Sequence, residues 1–386
     1  MKARIVLIVM LCSTFFSYAQ EKPQPVNSLT KEFKEFEWYT EQYSLWENEI
    51  EKDSKNEAAW INLYAAARYA KYTAKDEESK KVWSKKENDV LPKMSKAIEG
   101  TYAYYRIFTW HNSIWDAKDK DEQDKIINYA LKAYKLDPSN PDIYPNLMNI
   151  YEIYKPDQTK QKELAQQWKK SGDFTPNLMA LSYNALMNTK KNAILITAGD
   201  NDTYPLWVAQ HADQFRKDVN ILNIFLITLP DYRNRMFKSL NIPQLEGDDL
   251  KHSEIIEHII KYKGDHLLYF YNKGSIAKDS TLHDNLYNVG LVYQYAEESF
   301  DNSALIVDHF ENRFLLDHVK YSFYQSTYPK LDQRHNYSYL PGLMSLYQHY
   351  VLIENESKTK ETKELILRLG EGFPYLQEIK EELGLD

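Results

Sequence analysis

The chain has 386 residues, 43% hydrophobic and 27% charged, a formal net charge of −8 and one cysteine, Cys12. An acidic chain without a basic cluster is a poor match for nucleic acid or anionic membrane surfaces. Its length allows two or three domains with sizeable cores.

The first nineteen residues read as a secretory signal. Lys2 and Arg4 supply the positive start, Ile5 to Phe16 the short apolar stretch, and Ser17-Tyr18-Ala19 the small residues before a cleavage site. Cleavage near Ala19 predicts export to the periplasm or cell surface. It removes Cys12, excluding disulfides and thiolate metal ligands, and with Lys2 and Arg4 gone the charge becomes −10. No later run approaches the twenty apolar residues of a membrane span. Residues 20–30, with Pro23 and Pro25, read as a flexible leader.

From 31 to 190 the periodicity is helical, as in Phe33, Phe36, Tyr39, Tyr43 and Trp46. An internal repeat joins Asp53-Ser-Lys-Asn56-Glu-Ala-Ala-Trp60-Ile-Asn62-Leu63 to Asp137-Pro-Ser-Asn140-Pro-Asp-Ile-Tyr144-Pro-Asn146-Leu147. In each copy a helix ends, a polar turn follows, and an aromatic-led helix begins. The stretch from Tyr129 to Tyr151 resembles the junction between tetratricopeptide repeats. The two copies are not a whole number of such repeats apart, which predicts a short, irregular array of helix pairs.

At residue 191 the pattern changes. Ala193–Thr197 reads as a buried strand, Ala198–Asp202 as a turn, Thr203–Arg216 as a helix with Pro205 in its first turn, and Val219–Ile227 as a second strand, together a βαβ unit. Helices are expected at 231–240 and 253–261, and further strands at His266–Tyr271 and Leu286–Tyr295. Continuous apolar strands imply burial on both faces, hence a mainly parallel sheet. The expected class is thus α plus α/β: a tetratricopeptide-like helical-repeat domain at 31–190, a small mainly parallel α/β domain at 191–302, and a helical region at 303–386.

The turn Gly199-Asp200-Asn201-Asp202-Thr203 lies where a buried strand meets a helix, the edge at which open α/β sheets bind ligands. Two readings stand open. In one, Asp202 caps the following helix while Asn201 and Asp200 tie down the loop. In the other, Asp200 and Asp202 hold a divalent cation or sugar hydroxyls, with Trp207, Gln210, His283 and Asp284 in support. The string Gly199-Asp-Asn-Asp-Thr-Tyr-Pro-Leu-Trp207, with Gln210 and Arg216-Lys-Asp218-Val219, resembles a large bacterial membrane-protein family. Its members join a membrane half related to protein O-mannosyltransferases to a soluble half carrying this motif. The resemblance implies the α/β module and its turn; sugar transfer would reside in a membrane half that this sequence replaces with helical repeats.

Asp308-His309 with Glu311, and Asp317-His318, are weak metal candidates, and Asp279-Ser280-Thr281 resembles a bacterial O-glycosylation acceptor. No hydrolase elbow, phosphate loop, His-Glu-x-x-His or GxGxxG is present. The expectation is an exported interaction or scaffold protein for an envelope protein or glycan, with no cofactor beyond a divalent cation. The alternative is an enzyme acting on envelope glycans or phosphoesters through Asp200-Asn201-Asp202.

Overall fold

The computed structural model describes residues 22–276, 281–321 and 324–385. The expected signal and Asp279-Ser280 lie outside the described residues. The chain is mostly helical with a small mixed sheet, and it forms two compact units.

The first unit takes residues 22–27 and Lys34–Ile98. It contains α1 (Phe36–Lys52), α2 (Glu57–Thr73) and α3 (Glu77–Ile98), with α2 packed against both neighbours. Tyr39, Trp60, Leu63, Tyr64, Trp83 and Met94 fill its core. The segment expected to be a flexible leader is tied down. Gln24 N–H donates to Gln42 Oε1 and Val26 N–H to Asn62 Oδ1, both at 2.7 Å. An extended, proline-containing backbone has no internal partners, so neighbouring side chains supply them.

The second unit takes Ser28–Phe33 and the chain from Glu99 onward. Its helices before the sheet are α4 (Tyr102–His111), α5 (Lys120–Leu136), α6 (Tyr144–Asn149), α7 (Gln158–Ser171) and α8 (Pro176–Met187). The expected boundaries at 190/191 and 302/303 both fall inside this unit. One core there runs from Ile143 and Trp168 through Leu195 and Trp207 to Leu291 and Leu343.

The two repeat copies fall in different units but share local geometry. Asp53 and Asp137 each end a helix, and Asn56 and Asn140 each accept a backbone N–H at the next start. Trp60 Nε1 donates to the Ser54 carbonyl at 3.0 Å, and Tyr144 Oη to the Pro138 carbonyl at 2.9 Å. The aromatic position of the frame thus locks the turn as well as filling the core.

The sheet comprises β1 (Ile194–Thr197), β2 (Asn220–Asn223), β3 (Leu268–Phe270), β4 (Leu286–Asn288) and β5 (Tyr293–Tyr295), in the order β2-β1-β3-β5-β4. β2, β1 and β3 pair in parallel, and β5 pairs antiparallel with both β3 and β4, so the sheet is mixed: four strands run one way and β5 is reversed. The single strand expected over Leu286–Tyr295 is a hairpin. Gly290 takes a φ of 135°, and Val289 N–H donates to the Val292 carbonyl at 3.0 Å, reversing the chain.

Helices α9 (Tyr204–Ala212), α10 (Pro230–Ser239) and α11 (His252–Tyr262) connect the parallel strands. Leu195, Ile221 and Tyr269 share a core with α9, whereas Ile194, Ile196, Leu222, Leu268 and Phe270 share another with α10 and α11. The period-two alternation of the strands sends neighbouring side chains to opposite faces. The β1-to-β2 connection therefore covers one face, and the β2-to-β3 connection returns across β1 on the other. Beyond β5 come α12 (Ser303–Asp308), α13 (Asp317–Lys320), α14 (Pro329–Asn336), α15 (Leu340–Leu352), α16 (Glu356–Leu369) and α17 (Leu376–Leu383).

Candidate functional site

Because those two connections leave β1 and β2 toward opposite faces, a crevice opens outside the carboxyl ends of these strands. This is the topological switch point at which open α/β sheets take ligands. A cavity of about 410 Å³ lies there, within the usual range for small-molecule sites. Ala198, Asp200, Thr203 and Tyr204 line it from the first turn, Asn223, Phe225, Leu226, Thr228 and Leu229 from the second, and Trp115 and Asn149 from the helical part of the same unit.

The turn divides the two sequence readings between its two carboxylates. Asp202 is 7% exposed and reaches back to the end of β1. It accepts the N–H groups of Ala198 (3.1 Å) and Gly199, and Asn272 Nδ2 at 3.2 Å. It does not cap α9; the N–H groups of Thr203 and Tyr204 go to the Asp200 carbonyl. A Cβ on Gly199 would lie 3.2 Å from Asp202 Oδ1, so glycine makes room for this closure. Asn201 is also structural, donating to the Thr30 carbonyl at 2.9 Å. Asp200 is different. It lines the crevice as an exposed residue, and its carboxyl meets no donor among the described residues. The surrounding protein wall pushes its pKa up.

Burial pushes the Asp202 carboxyl up to about 6, against the pull of the two backbone N–H groups. A folded-state pKa above the unfolded value of 3.8 means that the folded chain binds this proton more tightly. The stabilisation is complete below the unfolded value and is lost as pH rises through about 6. Asp202→Asn removes the titration but keeps the shape. Its stability deficit relative to wild type should shrink between about pH 4.5 and pH 7.5 in urea melts; a constant deficit would contradict the shifted carboxyl.

Thr203 Oγ1 joins the two strand ends. It shares a 2.8 Å hydrogen bond with Thr197 Oγ1 and accepts Asn223 Nδ2 at 2.9 Å. Asn223 Oδ1 in turn accepts the N–H groups of Phe225 (2.9 Å) and Leu226 (3.2 Å), shaping the opposite rim. The motif residues beyond the turn build the fold. Trp207 is core, and Gln210 Nε2 donates to the Arg216 and Val219 carbonyls at 2.8 and 2.7 Å. Arg216 donates to the carbonyls of Leu186, Thr189 and Lys190, closing the end of α8.

His283 and Asp284 are not brought to the crevice. They precede β4, and β3 and β5 stand between that strand and β1. His309 is buried, with Nδ1 donating to the Val289 carbonyl at 2.8 Å; His318 sits against Tyr339. Among the described residues, no group of three or more His, Cys, Asp and Glu is placed to hold a metal ion.

The far wall was not legible in the motif. Asn149, 8% exposed, ends α6 just before a π-helical turn at Ile150–Tyr154, a local irregularity frequent at functional sites. Its Nδ2 donates to Tyr204 Oη at 2.9 Å, while its buried Oδ1 meets no donor among the described residues. Trp115 and Phe225, 41% and 57% exposed, flank the opening. Trp115 packs on Tyr154 and Phe225 on His252.

Residues 178–284 match the family described as TMEM260-associated domain 2. The match runs from α8 through β3, covering both turns of the crevice and less than half of the chain. No curated protein and no solved structure matches the chain. Among the described residues, no helix is long and apolar enough to cross a membrane.

Proposed function

We propose that this is an exported binding protein of the cell envelope, acting in the periplasm or at the cell surface. Its helical hairpins serve as scaffold, and the crevice at the carboxyl ends of β1 and β2 receives a small ligand or the end of a larger envelope partner. The observation that carries this reading is the crevice at the switch point of β1 and β2, a cavity of about 410 Å³ lined by Asp200 and by the exposed rings of Trp115 and Phe225. The matched segment supports kinship with proteins that carry TMEM260-associated domain 2.

Binding fits the carboxylates better than hydrolysis does. Glycosidic cleavage uses two carboxyl groups facing one bond, whereas here Asp200 alone faces the crevice and Asp202 holds backbone. The test uses full-length chain expressed in a bacterial host. Mass spectrometry should find a mature form beginning at Gln20. A fragment screen by protein-detected NMR on that material should move resonances of 198–204 and 223–229. Fragment hits confined to other surfaces would sink the crevice reading, and an uncleaved cytoplasmic product would sink export.

A further inference from the structure

The polar groups along the crevice wall alternate in character. Asn149 Oδ1 is enclosed and presents no surface to a ligand, so Asn149 acts on the wall through Nδ2. Beside it, Tyr204 Oη already accepts Asn149 Nδ2, so its own proton is free to be donated. Next comes the Asp200 carboxylate, close enough for its charge to help raise the Tyr204 pKa, behind the larger effect of burial. The wall thus offers a donor beside an acceptor. Hydroxyls on adjacent carbons match such a pair, because each both donates and accepts. An ammonium group offers donors only and would leave the Tyr204 proton unmatched. A phosphate or carboxylate offers acceptors only, would face Asp200, and would find no Lys, Arg or His in the lining.

The two aromatic rings complete the pattern. Trp115 and Phe225 are exposed at the crevice, and each is backed by another ring, which fixes its orientation. A fixed aromatic face suits the C–H face of a sugar ring, which is apolar on its flat side and polar at its edge. Fixing the rings before binding also lowers the ordering cost of association.

We propose that the crevice binds the end of a neutral glycan, its ring against Trp115 or Phe225 and adjacent hydroxyls on Tyr204 and Asp200. The assignment rests on the crevice being a ligand site, as proposed above. The test is titration of the full chain, by saturation-transfer NMR and tryptophan fluorescence, with neutral disaccharides of glucose, mannose, galactose and N-acetylglucosamine. Choline and inorganic phosphate are the comparison probes. At least one disaccharide should bind with a Kd of about 1 mM or tighter. Trp115→Ala and Asp200→Asn, each checked for an unchanged circular dichroism spectrum, should weaken it about tenfold or more. If choline or phosphate binds through these residues and no disaccharide does, the glycan assignment fails while the crevice stands. If a disaccharide binds equally well to both variants, its site lies elsewhere and the crevice reading fails with it. Absence of any disaccharide binding at about 10 mM overturns the glycan assignment.

Discussion

Asn188→Ala is expected to destabilise the second unit by about 3 kcal/mol or more. Asn188 is 2% exposed and lies just past the end of α8. Its Nδ2 donates to the Val289 carbonyl at 2.7 Å, and its Oδ1 accepts the N–H groups of Leu291 (2.7 Å) and Val292 (2.9 Å). The β4–β5 turn it serves is buried: Val289, Leu291 and Val292 are all core residues. Loops normally run over the surface, where water satisfies the backbone. A buried loop has no such recourse, and each group stripped of its partner costs about 1–3 kcal/mol. Asn177→Ala is the internal comparison. Its Nδ2 makes one long bond, 3.4 Å to the Asp332 carbonyl, and the loss should stay near about 1 kcal/mol. Urea melts followed by circular dichroism distinguish the two. Equal losses would mean that Asn188 acts through packing rather than through the three bonds.

The asparagines of α8 show what local reading captures and what it misses. The apolar run at Ala193–Thr197 and the first half of Val219–Ile227 are visible as strands because β-branched and aliphatic residues crowd there, although the second strand stops at Asn223 and Leu226–Thr228 coil into a short 3-10 helix; the acidic turn is visible because glycine and Asx residues interrupt the runs. The crevice position then follows from strand order. Asn184 and Asn188 carry no such local mark. Asn184 bonds Leu315 and Tyr339, and Asn188 bonds residues 289–292, partners at least a hundred positions away. Their one sequence signal is that the asparagines at 177, 184 and 188 share one side of α8 and its C-cap. The hairpin hidden in Leu286–Tyr295 escaped for the same reason. Its turn is apolar because it is buried, so only Gly290 betrayed it. Asn149 and Trp115 were beyond reach because they come from helical segments whose docking against the 198–204 turn is tertiary. The motif itself split: Asp202, Asn201, Gln210 and Arg216 build the turn and its supports, leaving Asp200 and Tyr204 to face the crevice.

A loss of the same order is expected at Gly342, in the first turn of α15. A Cβ there would lie 2.1 Å from the Gly290 carbonyl oxygen and 2.8 Å from Phe310 Cε2. The helix therefore crosses the buried β4–β5 turn at a separation only glycine allows. Gly342→Ala gains up to about 1 kcal/mol of helix propensity, but the clash is with backbone, and relief requires the helix or the turn to move. Overpacking in a core costs about 1–3 kcal/mol and at times more. Here the turn is held by three hydrogen bonds from Asn188, so a net loss of about 3 kcal/mol or more is expected. The two substitutions should also couple. Once Asn188→Ala has released the turn, it can shift away from α15, and Gly342→Ala should cost less in that background than in wild type. A double-mutant cycle in urea reads the difference directly, with a coupling of about 0.5–3 kcal/mol expected for residues that share a partner. Strict additivity would show that α15, rather than the turn, yields to the added methyl group.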